Sequence, residues 1–182
     1  MVNSSYLFTN RIDNGGDVFI DIGCHIGYYT IMGAPYFKNI FSIDASPSRS
    51  HSCKTNIKSI QCEEKIKVFN TALGSYDCPN EITLYENPFN SGGSYTSVKN
   101  YSNKNWDKEI VSCTNLDDLI FQNMEKINNI NKVFLKIDVE GYELKVLEGS
   151  KRIIDKYRPI IVIEARPTKS VYSKIYSLLP SK

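Results

Sequence analysis

The chain has 182 residues, 41% of them apolar, and a formal net charge of +2; its mean hydropathy is -0.32. That composition suits one soluble globular domain with a full core, and it excludes the strong basic field of a nucleic-acid binder. No apolar run approaches the roughly 18 residues needed to cross a bilayer, so no membrane span is expected.

The first ten residues lack a basic stretch followed by an apolar one. No secretory signal is therefore expected, and the expected compartment is the cytoplasm. Five cysteines, Cys24, Cys53, Cys62, Cys78 and Cys113, are scattered without a CxxC pair. They read as free, structural thiols. His25 and His51 lack metal-ligand spacing to any cysteine pair, and no metal is assigned.

Five short apolar runs, at residues 18–22, 40–43, 66–69, 133–139 and 160–163, read as strands covered on both faces. Helix-like stretches lie between most of them. One is expected over residues 28–34. A second opens at Ser46-Pro47, an N-cap followed by proline, and runs toward residue 60. A third spans residues 143–157 with a break near Gly149. The alternation predicts an α/β fold: a doubly wound, mostly parallel sheet in a single domain over residues 1–182. Residues 74–114 interrupt the pattern. They are rich in Asn, Ser, Gly, Pro and Tyr and contain strand-like pieces at 81–85 and 110–113. An insertion of about 40 residues is expected to serve as a substrate wall or lid. Gly92-Gly93 gives it a flexible point, and Tyr85, Phe89, Tyr95, Tyr101 and Trp106 are candidates to stack on an acceptor. Asn115 is the expected cap of the helix that follows.

The first strand runs into Asp21-Ile22-Gly23-Cys24-His25-Ile26-Gly27. A glycine turn between strand and helix lets a ligand approach the backbone. The spacing fails the dinucleotide fingerprint, because His25 and Tyr28 stand where glycines are needed, and no P-loop lysine follows. Asp21 beside the turn repels a pyrophosphate and attracts a cation. S-adenosylmethionine carries both an ammonium and a sulfonium, and its carboxylate suits a helix N-terminus. Asp44 closes the second strand about 23 residues later, near the spacing at which an acid takes ribose hydroxyls. Candidate cofactor residues are Asp21, Gly23, His25, Gly27, Asp44 and Ala45, with Asn70, Thr71 and Ala72 after the third strand for the adenine.

The fourth strand ends in Lys136-Ile137-Asp138-Val139-Glu140-Gly141-Tyr142-Glu143. Three acids and a lysine at the carboxyl end of a buried strand are costly unless paired or used. Asp138 and Glu140 are two apart and project together on an extended segment, and Lys136 shares their face. Asp138 is the expected base, Glu140 its partner, and Lys136 an ion-pair holder or a substrate contact. Glu143 opens the next helix, where its charge suits the dipole.

These residues resemble the FkbM-like family of S-adenosylmethionine-dependent methyltransferases. The resemblance rests on the glycine loop, on Asp44-Ala45-Ser46-Pro47, on Ala72-Leu73-Gly74, on Asn115-Leu116-Asp117-Asp118-Leu119, and above all on the Lys136–Glu143 block with Leu147, Gly149 and Glu164. It implies a Rossmann-like fold, this cofactor, and O-methylation of a hydroxyl on a sugar, lipid or secondary metabolite. The expected partner is a small-molecule or glycan acceptor; no nucleic acid is expected, and no oligomeric state is assigned. Asp44-Ala45 replaces the family's usual Glu-Pro, and Tyr142 a commonly small residue. The chain ends at Lys182, so the C-terminal antiparallel strand pair of the family is expected to be lacking. Two alternatives remain at this point: a non-catalytic cofactor-binding module of the same fold, and a nicotinamide-dependent oxidoreductase.

Overall fold

The computed structural model describes residues 15–86, 94–96, 106–164 and 169–180. Five parallel strands form the main sheet in the order β3-β2-β1-β8-β9. They are β1 (Gly16–Ile22), β2 (Phe37–Asp44), β3 (Ile66–Asn70), β8 (Val133–Ile137) and β9 (Ile160–Ile163). Helices α1 (Tyr28–Gly33) and α2 (Pro47–Ser59) follow the first two strands. Helix α3 (Leu116–Glu125) precedes β8. The short helices α4 (Glu143–Glu148) and α5 (Lys151–Tyr157) connect β8 to β9, and α6 (Lys169–Leu178) follows β9.

Alternate residues of each strand supply opposite faces, and both faces are apolar. Val18, Ile20 and Ile22 of β1 join Leu135, Ile137, Leu116, Ile120 and Leu147 in one core. Phe19 joins Phe37, Ile40, Phe134, Cys53 and Ile57 in the other, under α1 and α2. Burial on both sides is why these strands show no polar alternation in sequence. Ser46 caps α2 by accepting the Arg49 N–H, and Asn115 caps α3 by accepting the Asp118 N–H at 2.9 Å. The expected break in residues 143–157 falls at Gly149-Ser150, between α4 and α5.

The described residues between 72 and 114 include a second sheet in the order β4-β7-β5-β6. Its strands are β4 (Ala72–Leu73), β5 (Glu81–Glu86), β6 (Ser94–Thr96) and β7 (Asp107–Thr114). β7 is antiparallel to β5 and parallel to β4. Phe89, Gly92, Gly93 and Tyr101 lie outside the described residues. Among the described residues β9 is an edge of the main sheet, paired with β8 alone.

β8 stops at Ile137, earlier than its expected end at residue 139. The Asp138 N–H still donates to the Ile22 carbonyl at 3.1 Å, but Glu140 turns into the left-handed region with φ 51. The period-two rule that set Asp138 and Glu140 on one face therefore does not extend to Glu140. The turn, rather than a pleat, determines where its side chain goes.

Candidate active site

Strand order reverses between β1 and β8: the chain steps outward to β2 and β3 on one side and to β9 on the other. The loops leaving the carboxyl ends diverge at such a point and leave a crevice. A cavity of about 350 Å³ lies there. Gly23 and His25 enter it from the loop after β1, Asp44, Ala45 and Arg49 from β2 and the start of α2, and Thr71, Ala72 and Leu73 from the end of β3 and from β4. Asp138, Val139, Glu140 and Tyr142 come from the turn after β8, Glu164 from the end of β9, and Leu84 from the second sheet.

Asp44 is buried, and each carboxyl oxygen accepts one backbone hydrogen bond. Oδ2 takes the His25 N–H at 2.8 Å and Oδ1 the Ser46 N–H at 2.9 Å. One lone pair on each oxygen is left for a ligand. Burial raises its pKa above the ordinary 3.8, against the pull of those two N–H groups and of Arg49. Ile43, Ala72, Leu73 and Leu84 add apolar surface to the cavity.

Beneath the floor, cross-strand register sets Asp21 opposite Lys136. Lys136 Nζ lies 3.3 Å from Asp21 Oδ1 and 3.4 Å from Asp138 Oδ2, and 5.0 Å from the centre of the Tyr29 ring. Burial opposes the charge on Lys136, but the Asp21 and Asp138 carboxylates outweigh it and hold its pKa above 10.5. Asp21 is fully buried. Its Oδ2 accepts the Thr30 hydroxyl at 2.7 Å, and that hydroxyl also meets Ser42 Oγ at 2.7 Å. Asp21 Oδ1 lies within ion-pair reach of Lys136 without an aligned hydrogen bond; Coulomb attraction needs no such alignment.

Of the residues singled out in sequence, Gly23, His25, Asp44, Ala45, Thr71, Ala72, Asp138 and Glu140 line the cavity. Asp21, Gly27, Asn70 and Lys136 do not. Asp21 meets Lys136 instead of the cavity, so it acts on a ligand only through that lysine and Asp138. Asn70 is exposed, and its amide holds the Asp44 and Ala45 carbonyls at 3.1 and 2.9 Å. The loop glycines answer to packing. A Cβ on Gly23, at φ 74, would stand 1.8 Å from the Asp138 carbonyl oxygen, and one on Gly27, at φ 89, 2.8 Å from Cys53 Sγ. Close approach within the chain requires a glycine at both positions. Glu143 is buried and accepts the Gly141 N–H at 2.7 Å, so it secures the turn before α4.

Arg49 and Leu84 are lining residues that sequence reading missed. Arg49 carried a legible signal, since it lies within the first turn of a helix capped two residues after Asp44. Leu84 carried none, because nothing in sequence folds the second sheet over the cavity. Among the described residues no three His, Cys, Asp or Glu side chains converge as a metal site. No helix among them is long and apolar enough to cross a membrane.

No curated protein sequence matches the chain. The fold is similar to that of methyltransferase FkbM from Methylobacillus flagellatus KT, with TM-score 0.59 and 19% identity over 92% of this chain and 38% of that one. It is also similar to precorrin-6y C5,15-methyltransferase from Geobacter metallireducens GS-15, with TM-score 0.50 and 12% identity over 95% of this chain and 66% of that one. The chain therefore spans well under half the length of the first and about two thirds of the second. At these identities the likeness establishes the architecture: a five-stranded parallel sheet flanked by helices, the Rossmann-like fold of class I methyltransferases. Residues 21–182, from the acid of the glycine loop to the last residue, match the methyltransferase FkbM domain, and the chain belongs to that family.

Proposed function

We propose that the chain binds S-adenosylmethionine in this cavity and methylates a hydroxyl of a small-molecule or glycan acceptor. The observation that carries the reading is the charge of the lining. Asp44, Asp138, Glu140 and Glu164 contribute four carboxylates against the single guanidinium of Arg49. Such a surface suits a ligand with two positive centres and disfavours a pyrophosphate. The residues also fit the rest of the molecule. The open lone pairs of Asp44 suit a vicinal diol, and the apolar walls from Ile43, Ala72, Leu73 and Leu84 suit a purine. When bound, the cofactor supplies a methyl group already activated on sulfur.

The chain's own tasks are then alignment and proton removal, worth about 7–11 kcal/mol and roughly a hundred- to ten-thousand-fold. Asp138 is the acceptor for the hydroxyl proton in this reading. Lys136 fixes the Asp138 Oδ2 oxygen from below, which leaves Oδ1 for the acceptor. Glu140 and Glu164 are exposed at the rim and take hydrogen bonds from further acceptor hydroxyls.

Calorimetric titration of S-adenosylmethionine into the wild-type chain and the Asp44→Ala variant tests the proposal. Wild type should bind, and the variant should bind about 1–3 kcal/mol more weakly, the usual loss for a charged hydrogen-bonding group. Undetectable binding to a folded wild-type chain, or equal binding by the two proteins, overturns the assignment.

A further inference from the structure

Cysteines that are scattered in sequence meet in the fold. Cys24 Sγ and Cys53 Sγ lie 3.9 Å apart in the core beside α2. Cys78 and Cys113 make a second meeting. Cys113 sits on β7 opposite Ala72 of β4, and Cys78 closes the turn after β4, its N–H donating to the Ser75 carbonyl at 3.0 Å. Gly74 stands between them. A Cβ built there would lie 3.4 Å from Cys78 Sγ and 3.5 Å from Cys113 Sγ, so both sulfurs point at one spot. The Cys78 thiol lies near enough to help raise the pKa of Cys113.

The pairs differ in access. Cys24 and Cys53 are both buried, whereas Cys78 is half-buried and opens the second pair to solvent. We propose that Cys78 and Cys113 form a thiol-oxidation site that closes into a reversible intramolecular disulfide, taking a low-molecular-weight disulfide of the glutathione class as oxidant. Cys78 attacks first, as thiolate, one sulfur of the oxidant; that S–S bond breaks and one small thiol leaves. Cys113 then releases its proton to solvent and attacks the Cys78 sulfur, expelling the second small thiol. Two protein S–H bonds become one S–S bond, and the oxidant is reduced to two thiols. The order follows from the environment: burial and the neighbouring Cys78 thiol push Cys113 up to about 12, which makes it the slower partner.

The bond has a structural consequence. Cys78 and Cys113 bracket β5 and β6 and the body of β7, so a disulfide fastens the second sheet at its base. That sheet brings Leu84 to the cavity, and the β4 partner of Cys113, Ala72, lines it too. Oxidation would thus fix one wall of the binding crevice.

The test incubates the full reduced chain with excess oxidised glutathione, blocks remaining thiols by alkylation, and maps the digested peptides by mass. The Cys78 and Cys113 peptides should be joined, with the loss of two hydrogens and no glutathione retained on either. The melting temperature should rise by about 8–15 °C, as for a loop of some 35 residues closed in the unfolded chain, and dithiothreitol should reverse it. Cys113→Ser should stop at a glutathione adduct on Cys78, and Cys78→Ser should leave Cys113 alkylatable only on unfolding. Joined Cys24 and Cys53 peptides, or Cys78 and Cys113 peptides that stay unjoined in the wild type, overturn the proposal.

Discussion

A lysine only 6% exposed is tolerated because the side chains of Asp21 and Asp138 lie within ion-pair reach of it. Lys136→Met removes the cation and leaves Asp21 buried with no compensating charge. The expected loss is about 3–5 kcal/mol in urea unfolding. Adding Asp21→Asn should recover most of it, and a double variant as unstable as the single would show that the pairing is not what holds this region. The folded pKa of Lys136 is raised, so its contribution is fully present below the unfolded value of 10.5 and is lost as pH rises through the folded value. Alkaline unfolding of wild type should therefore steepen above that point, and in the double variant it should not. Asp44 follows the same rule at acid pH. Its proton is held more tightly than that of a free carboxyl at 3.8, so its stability contribution is present below 3.8 and is lost as pH rises through the raised folded value. Cofactor affinity runs the other way, because ribose hydroxyls need a charged acceptor. Calorimetry from about pH 8 down to about pH 4 should show affinity falling on the acid side. A flat profile in a chain that stays folded would dismiss Asp44 as the ribose acceptor.

At the scale of elements, Asp17 binds the start of β1 to its surroundings. Its Oδ1 lies 2.7 Å from Lys38 Nζ of β2, and its Oδ2 accepts the Asn131 and Lys132 N–H groups that lead into β8. The Lys38 hydrogen bond and these N–H groups hold its pKa down to about 2. A depressed carboxylate stabilises the fold above the unfolded value of 3.8 and ceases to as pH falls toward about 2. Asp17 is covered by its bonding partners yet lies near the surface, beside an exposed Lys38, so the Coulomb part is screened. Asp17→Asn should cost about 1–2 kcal/mol near neutral pH, and the difference from wild type should shrink on acidification through that window. Equal unfolding midpoints near neutral pH would refute the role. Most elements of this kind were legible beforehand. Apolar runs marked the five strands, and Ser46-Pro47 and Asn115 marked two helix starts, because cap chemistry is local. β7 was read as residues 110–113 but spans Asp107–Thr114. Its outer half, Lys108 and Glu109 included, is exposed, so hydrophobicity did not mark it. β4, two residues long, is defined only by its partner Cys113-Thr114, and pairing between distant segments leaves no local trace.

For the molecule as a whole, the same division decides how much of the site could be read. Acids at strand ends were visible because strand ends are where chain order and chemistry coincide: Asp44, Asp138 and Glu164 all reach the cavity. The Asp21–Lys136 pairing was not, since it depends on the register of β1 against β8, and the sequence placed Asp21 against the ligand instead. The cavity draws its lining from all five strands of the main sheet or the loops after them, from the start of α2 and from the second sheet. A ligand there contacts segments that separate only on global unfolding, so binding should stabilise the entire fold. By mass action, ligand at a hundred times its dissociation constant adds about 2.7 kcal/mol, equivalent to roughly 5–10 °C in a domain of this size. A thermal-shift comparison of S-adenosylmethionine with a nicotinamide dinucleotide at matched concentration separates the two charge types. The acid-lined crevice should raise the melting temperature with the sulfonium and leave it unchanged with the pyrophosphate. An equal or larger shift with the dinucleotide would mean that carboxylates at the strand ends do not set ligand choice, and the methyl-donor reading would fall with them.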